Sequence, residues 1–525
     1  MPRSPSAGFP AAVDVAIVGS GPAGAAYARV LSERAPQLRL AVFEAGPLIS
    51  DPPGTHVKNI ADTERRARAQ RDSEGPRPLA RAASTDTMDD YAADRARLQR
   101  PGTFLLPSGP WNGPQGDGDT GMPAAAMSSN VGGMGAHWTG ACPRPGNGEV
   151  IGFLPELGAW LDEAERLLDV SAEVLADAPF ADEVRKRLSV ALDHDRAGDR
   201  QVQAMPMAVR RTADGRSLWC GADTVFGDVT RDNPRFELFA EALVTRVVLD
   251  EDEDRDGRQG GPSVRGVRVR DRRTGTEHEV AARYVVVAGD SLRTPQLLHA
   301  SGVRPAALGR HLNDQPQLVY AVRMRDLPDL PPAAGDGVGV SAGSGVAWVP
   351  YTDAHPYHGQ VMQLDASPVP LADDDLAPGS VVGLGWFCAK ELRAEDRIAF
   401  RDDEVDGYGM PAMELHYRLT EADLAAIDGA RTEILRAAAA LGEPLDDTPP
   451  LLFPAGASLH YQGTVRMGDT DDGASVCDPT SQVWGVRGLF VAGNGVIPTA
   501  TACNPTLTSV ALAVGGARSI AAAES

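Results

Sequence analysis

The sequence predicts an α/β chain, α+β when taken whole, in which a parallel-sheet domain is assembled from discontinuous segments and a mixed-sheet domain is inserted between them. Three observations predict it. The run Val13-Asp14-Val15-Ala16-Ile17-Val18 leads straight into Gly19-Ser20-Gly21-Pro22-Ala23-Gly24 and an alanine-rich helical stretch. The same strand-into-glycine text returns far downstream, at Tyr284 to Gly289 and at Val486 to Gly493. Between those returns, Gln317 to Leu452 changes to longer alternating runs broken by Pro-rich turns.

Each element follows from its residues. Short continuous apolar runs suit strands buried on both faces, as in a parallel sheet. The first helix extends to about Ser32, and a second strand, Leu38 to Phe43, closes a βαβ unit and ends at Glu44. Gly19 permits a tight turn, Gly21 lets backbone NH groups approach a pyrophosphate, and Gly24 lets helix and strand pack closely. Glu44 stands about 20 residues on, where an acid binds a ribose hydroxyl. A glycine-rich turn alone would be weak evidence. Strand, helix, second strand and acid in order make a Rossmann-type dinucleotide site.

Further along, residues 61–127 are rich in Arg, Asp, Gly and Pro with little apolar periodicity. They form a lid-like insertion or a flexible excursion. A Gly-rich segment at Asn130 to Gly140 precedes a helical stretch, Leu154 to Leu175, and Phe236 to Leu249 pairs with Val264 to Asp271. The acidic run Asp250 to Asp254 lacks the glycine and terminal Glu of a calcium loop and reads as a solvated hairpin tip. The expected division gives the dinucleotide domain residues 1–60, 128–150, 220–316 and 453–525, and the substrate domain residues 151–219 and 317–452.

The 525 residues carry 50 basic and 72 acidic side chains, a formal charge of −22. Such a surface repels phosphate backbones and anionic lipid, so neither nucleic acid nor membrane is an expected partner. Cys142, Cys220, Cys388, Cys477 and Cys503 show no CxxC spacing, which suggests no metal site and no disulfide framework. The first residues lack an export signal, no stretch approaches a membrane span, and a cytoplasmic location is the expectation.

The Gly19–Gly24 turn with Glu44, Tyr284 to Ser301, Leu308 to Asp314 and the C-terminal Val486 to Thr508 together resemble the glucose–methanol–choline (GMC) oxidoreductases, over nearly the whole chain. Within that superfamily the chain resembles the pyranose oxidases. Val131 to Thr139 looks like their flavin-contacting loop, His355 to Gln360 like the opening of their substrate loop, and Leu459 to Gly468 and Gly495 to Leu507 like the segments carrying their active-site histidine and asparagine.

The resemblance implies FAD, held by Gly19, Gly21, Gly24, Glu44, Gly132, Gly133, His137, Thr139, Val244, Gly493, Asn494, Pro505 and Thr506. It implies oxidation of a secondary ring hydroxyl of a pyranose or glycoside at C3 or C2, with O2 or a quinone as acceptor. Oxidising an alcohol needs a base near neutrality and a hydride acceptor, which the flavin supplies. The resemblance makes His460 the base and Asn504 its partner on the substrate oxygen; Asn504 could also cap the helix before Pro505. Gln360 and Asp365 are the substrate-binding candidates. His137 matches a histidine that is bonded to the flavin in fungal enzymes, although Gly135-Ala136 stands here where those have Ser-Thr. Bacterial glycoside 3-oxidases belong to the same group, and a 3-keto product would suit a partner lyase that removes the aglycone of a C-glycoside. Oxidation of another alcohol and a non-redox hydroxynitrile lyase activity are the alternatives.

Overall fold

The computed structural model describes residues 8–76, 100–106, 121–176, 178–250, 261–327, 345–364, 379–445 and 447–525. Two seven-stranded sheets organise them. The first contains β1 (Ala12–Val18), β2 (Leu40–Phe43), β3 (Phe236–Phe239), β4 (Ala242–Asp250), β5 (Ser263–Asp271) and β6 (Glu277–Val287), with Leu489–Val491 beside β6. The sequence β3-β2-β1-β6 is parallel, as is the pairing of β6 with Leu489–Val491, while β5 and β4 continue it antiparallel.

Helix α1 (Pro22–Arg34) packs on this sheet together with the C-terminal helix, Thr506–Ala523. Two glycines make the approach close. Gly19 has φ 100°, and a Cβ there would stand 2.3 Å from the Ala288 carbonyl oxygen; a Cβ on Gly24 would stand 2.1 Å from that of Gly19. The crossing point therefore admits no side chain.

The second sheet is antiparallel and contains β7 (Gln317–Met324), β8 (Val346–Val349), β9 (Tyr357–Leu364) and β10 (Val381–Cys388), in the spatial order β7-β10-β9-β8. The short strands Gly442–Pro444 and Leu451–Leu452 pair with β7, and Gln203–Ala204 with β8. One face buries Leu318, Val361, Val382, Leu384 and Trp386 with Ile427 and Ile434 of a long helix, Glu421–Leu441. The opposite face looks toward the candidate active site.

Several elements differ from the sequence reading. Phe236 to Leu249 is two strands, because Glu241 turns the chain with φ 56°; β3 joins β2 and β4 joins β5. The helical stretch from Leu154 shortens to Leu157–Leu168 and ends at Asp169, φ 52°. Its Leu161, Ala164 and Leu168 pack into the core of the first sheet rather than that of the inserted domain, to which the sequence assigns it. His355 to Gln360 is not all loop, since Tyr357 onward is β9. Glu421–Leu441 was not anticipated; it opens with a capping box, Thr420 Oγ1 accepting from Asp423 N and the Asp423 carboxylate from Thr420 N. Thr506–Ala523 has the length and mean hydropathy (1.3) of a membrane span, and is mostly buried against its neighbours. The acidic run at 251–254 and Asp365 lie outside the described residues.

Candidate active site

A cavity of about 330 Å³ follows the carboxyl ends of the parallel strands, where open α/β sheets hold ligands. At the end of β2, Glu44 is buried, which pushes its pKa up, and it accepts hydrogen bonds from Ser20 N (3.1 Å), Ser20 Oγ (2.7 Å) and Gly46 N (2.9 Å). Ser20 Oγ accepts in turn from Gly132 N at 2.9 Å. One hydroxyl thus joins the glycine turn, the acid and the 130–140 segment. Sequence reasoning misses Ser20 because the dinucleotide fingerprint specifies only the glycines around it.

Gly19, Gly21 and Glu44 line this cavity, as do Gly133, His137, Thr139 and Val244. Gly493, Asn494 and Thr506 line it as well. Gly24, Gly132 and Pro505 do not. Gly24 serves packing, Gly132 gives its NH to Ser20, and Pro505 is the N-cap residue of the C-terminal helix. The Asn504 side chain bonds His460 and Gln360 instead of capping that helix, the alternative role the sequence left open. His137 places Nε2 3.1 Å from Ser73 Oγ and 3.2 Å from Asn130 Oδ1, and its buried Nδ1 has no partner among the described residues. Burial pushes its pKa down to about 4, so the ring is neutral.

A second cavity, of about 280 Å³, lies against the second sheet. The two share Arg100, Thr139, Ser458, His460 and Asn504. At this junction His460 Nδ1 lies 2.7 Å from Gln315 Oε1, and His460 Nε2 lies 3.1 Å from Asn504 Nδ2. The tautomer follows from the partners. Gln315 gives its Nε2 to the Cys503 carbonyl at 2.8 Å, which can only accept, so its Oε1 faces His460 and takes the Nδ1–H. Nε2 is then the unprotonated nitrogen and accepts from the Asn504 amide. Asn504 Oδ1 in turn accepts from Gln360 Nε2.

Burial first, and the Arg100 charge second, push the His460 pKa down to about 3, well below the near-neutral base the sequence reading calls for, because the site holds the ring neutral out of water. Its Nδ1 partner is a neutral amide, so nothing adjacent favours the imidazolium. The backbone is fixed as firmly as the ring. Leu459 holds φ 62°, and the buried Asp314 carboxylate accepts from Gly456 N (2.8 Å), from His460 N (3.4 Å) and from Ser458 Oγ. Gln315, like Ser20, escapes sequence reasoning; it stands one residue past the Leu308–Asp314 segment that the resemblance marks. His358, read as a loop residue, is buried within β9 and accepts from Trp348 Nε1 at 3.1 Å.

GMC oxidoreductase family models match residues 157–317 and 397–513. The C-glycoside 3-oxidase of Microbacterium trichothecenolyticum is 61% identical over 98% of this chain and 97% of its own. The Arthrobacter globiformis enzyme of the same name is 60% identical over 98% and 96%. The chain belongs to the GMC oxidoreductase family. The pyranose 2-oxidase of Tricholoma matsutake is a more distant relative, 31% identical over 97% of this chain and 93% of its own. A solved structure of Aspergillus oryzae formate oxidase has the same fold, with a TM-score of 0.63 at 16% identity over 98% of both chains.

As a GMC oxidoreductase the protein is an FAD-dependent enzyme, and the first cavity fits that cofactor. It offers two helix N-termini, at Pro22 and Thr506, and the Glu44 carboxylate.

Proposed function

We propose that the protein oxidises a secondary ring hydroxyl of a glycoside to a ketone, at C3 of the sugar of a C-glycoside, and that His460 is the base. The meeting of the two cavities at His460 and Asn504 carries this reading: a substrate in the second would present its carbinol to a flavin in the first. The names of the two relatives near 60% identity favour C3 over C2 and a C-glycoside over a free hexose.

The residues act as follows. Neutral His460 receives the hydroxyl proton at Nε2, the nitrogen its Gln315 bond leaves unprotonated. Nδ1–H stays on the Gln315 oxygen throughout, so the ring does not turn as it becomes imidazolium. The Asn504 amide, which donates to Nε2 at 3.1 Å in the free protein, gives that place up to the substrate hydroxyl and donates instead to the substrate oxygen as negative charge develops. Gln360, bonded to Asn504, and Asp365 bind further sugar hydroxyls. FAD, when bound in the first cavity, would supply the hydride acceptor, with O2 or a quinone as the terminal acceptor. A 3-ketone acidifies the neighbouring C2 hydrogen, so a lyase in the same cytoplasm could then eliminate the aglycone.

We hold the flavin to be non-covalent, because His137 is anchored through Nε2 to Ser73 and Asn130. Acid precipitation tests this: the yellow colour stays in the supernatant, whereas a coloured pellet would mean a covalent bond. The function is tested by anaerobic mixing with D-glucose and, separately, with the C-glycoside puerarin, following flavin absorbance. Faster bleaching by puerarin is expected. No bleaching by either would remove the sugar oxidase reading and turn attention to other alcohols and cyanohydrins.

A further inference from the structure

The second cavity is most polar around His460, with Tyr320 and Thr448 the polar residues farther out along it. Around His460 stand Asn504, Gln360 and Gln317, but the sheet running away from them presents Val319 and Ala321 of β7 and Met362 and Leu364 of β9, all half-buried. Between these two strands lies β10, whose residues on the same face are Gly383, Gly385 and Phe387. Register proves the shared face: Gly385 pairs with Val319 and Gln360, and Gly383 with Ala321 and Met362.

These glycines are not demanded by the fold. Neither has a left-handed φ, and the pairing of β10 with both neighbours runs without a bulge. A Cβ on Gly385 would meet nothing closer than Phe387 Cε2 at 3.6 Å, and one on Gly383 only the flexible end of Leu364 at 3.2 Å. Gly359, on the other face of the sheet, is different, because a Cβ there would lie 2.7 Å from the Trp386 ring. Glycine weakens a strand interior, and where neither bulge nor packing calls for it, it marks close approach by something else. Gly383 and Gly385 thus open a flat apolar trough two residues long, about 7 Å, leading out from Phe387, whose ring is 5.1 Å from that of His460.

We propose that this trough is an aglycone subsite: the sugar sits at the polar end beside His460, and a flat aromatic aglycone lies on the backbone of Gly383 and Gly385. The occupant follows from continuity with the catalytic junction, the apolar flanks and the planarity of a strand stripped of side chains. The inference rests on the glycoside reading above and adds the residues that select the aglycone.

The test is Gly383→Val in the flavin-loaded enzyme, with Gly383→Ala as a milder variant. Valine suits a strand, so thermal stability and flavin content should hold. The expected result is that kcat/KM for puerarin falls roughly 10-fold or more, while that for D-glucose, which lacks an aglycone, changes less than about twofold. A parallel fall for both sugars, or no change for either, overturns the proposal. Should neither sugar reduce the wild-type flavin, the glycoside reading fails, and calorimetric titration with daidzein, the aglycone of puerarin, judges the trough alone. Binding to wild type that weakens in either variant supports it; no binding to wild type overturns it.

Discussion

The two cavities that meet at His460 are built differently. The cofactor cavity takes its floor from backbone, with a glycine turn, strand ends and two helix N-termini, and its walls from side chains such as Glu44, Trp138, Arg293 and Tyr408. The substrate cavity is shaped by side chains on three strands and a loop, together with the places on β10 where side chains are missing. The first kind of site tolerates no atoms at its crossing points. The second is adjustable residue by residue, which is how one fold serves many alcohols.

Gly24→Val should break the first region outright. Its Cβ would fall 2.1 Å from a backbone oxygen that cannot move aside, so α1 must lift from the sheet. Purified protein should contain no flavin and melt well below wild type; retained flavin at normal stoichiometry would show that the turn is looser than its geometry implies. His460→Ala strikes the junction instead. Flavin should stay bound and its absorbance intact, while the rate of anaerobic bleaching by substrate falls about 1,000-fold, within the range for losing a general base. A loss below tenfold would move the base elsewhere.

This contrast also explains what the sequence disclosed. The glycine turn, Glu44, and the strands at Tyr284 and Leu489 were legible because their residue types are forced by local geometry. His460 and Asn504 were legible only by resemblance, since a single histidine or asparagine carries no local signature. The role of Gln315 was not legible, because it depends on Cys503 meeting Gln315 across the fold. Gly383 and Gly385 look like loosened strand text until register places Val319 and Gln360 beside them. The helix Glu421–Leu441 was hidden among alternating strands because its alanine-rich stretch has no strong polar–apolar contrast, although the Thr420–Asp423 box announced its start.

Gln315 separates orientation from acid–base strength, and its expected effects are the smallest. Gln315→Leu leaves the His460 Nδ1–H buried without an acceptor, a penalty of about 1–3 kcal/mol. The ring is then free to present its NH to the substrate, so kcat should fall roughly 10- to 100-fold at unchanged flavin content. Gln315→Glu keeps the acceptor and adds a charge, so it tests something else. In wild type the His460 pKa is pushed down to about 3, below its ordinary value of about 6.5. The folded state thus favours the neutral ring; the linked stability is complete above the ordinary value and is lost as pH falls toward 3. Wild-type kcat/KM should accordingly show no His460 limb between pH 5 and 8. A carboxylate at Nδ1 stabilises the imidazolium and raises that pKa, so Gln315→Glu should gain an acid limb, losing activity as pH falls through the raised value. A wild-type limb that Gln315→Glu leaves in place would belong to another group, and no new acid limb in Gln315→Glu would mean that the Nδ1 contact does not set the base strength.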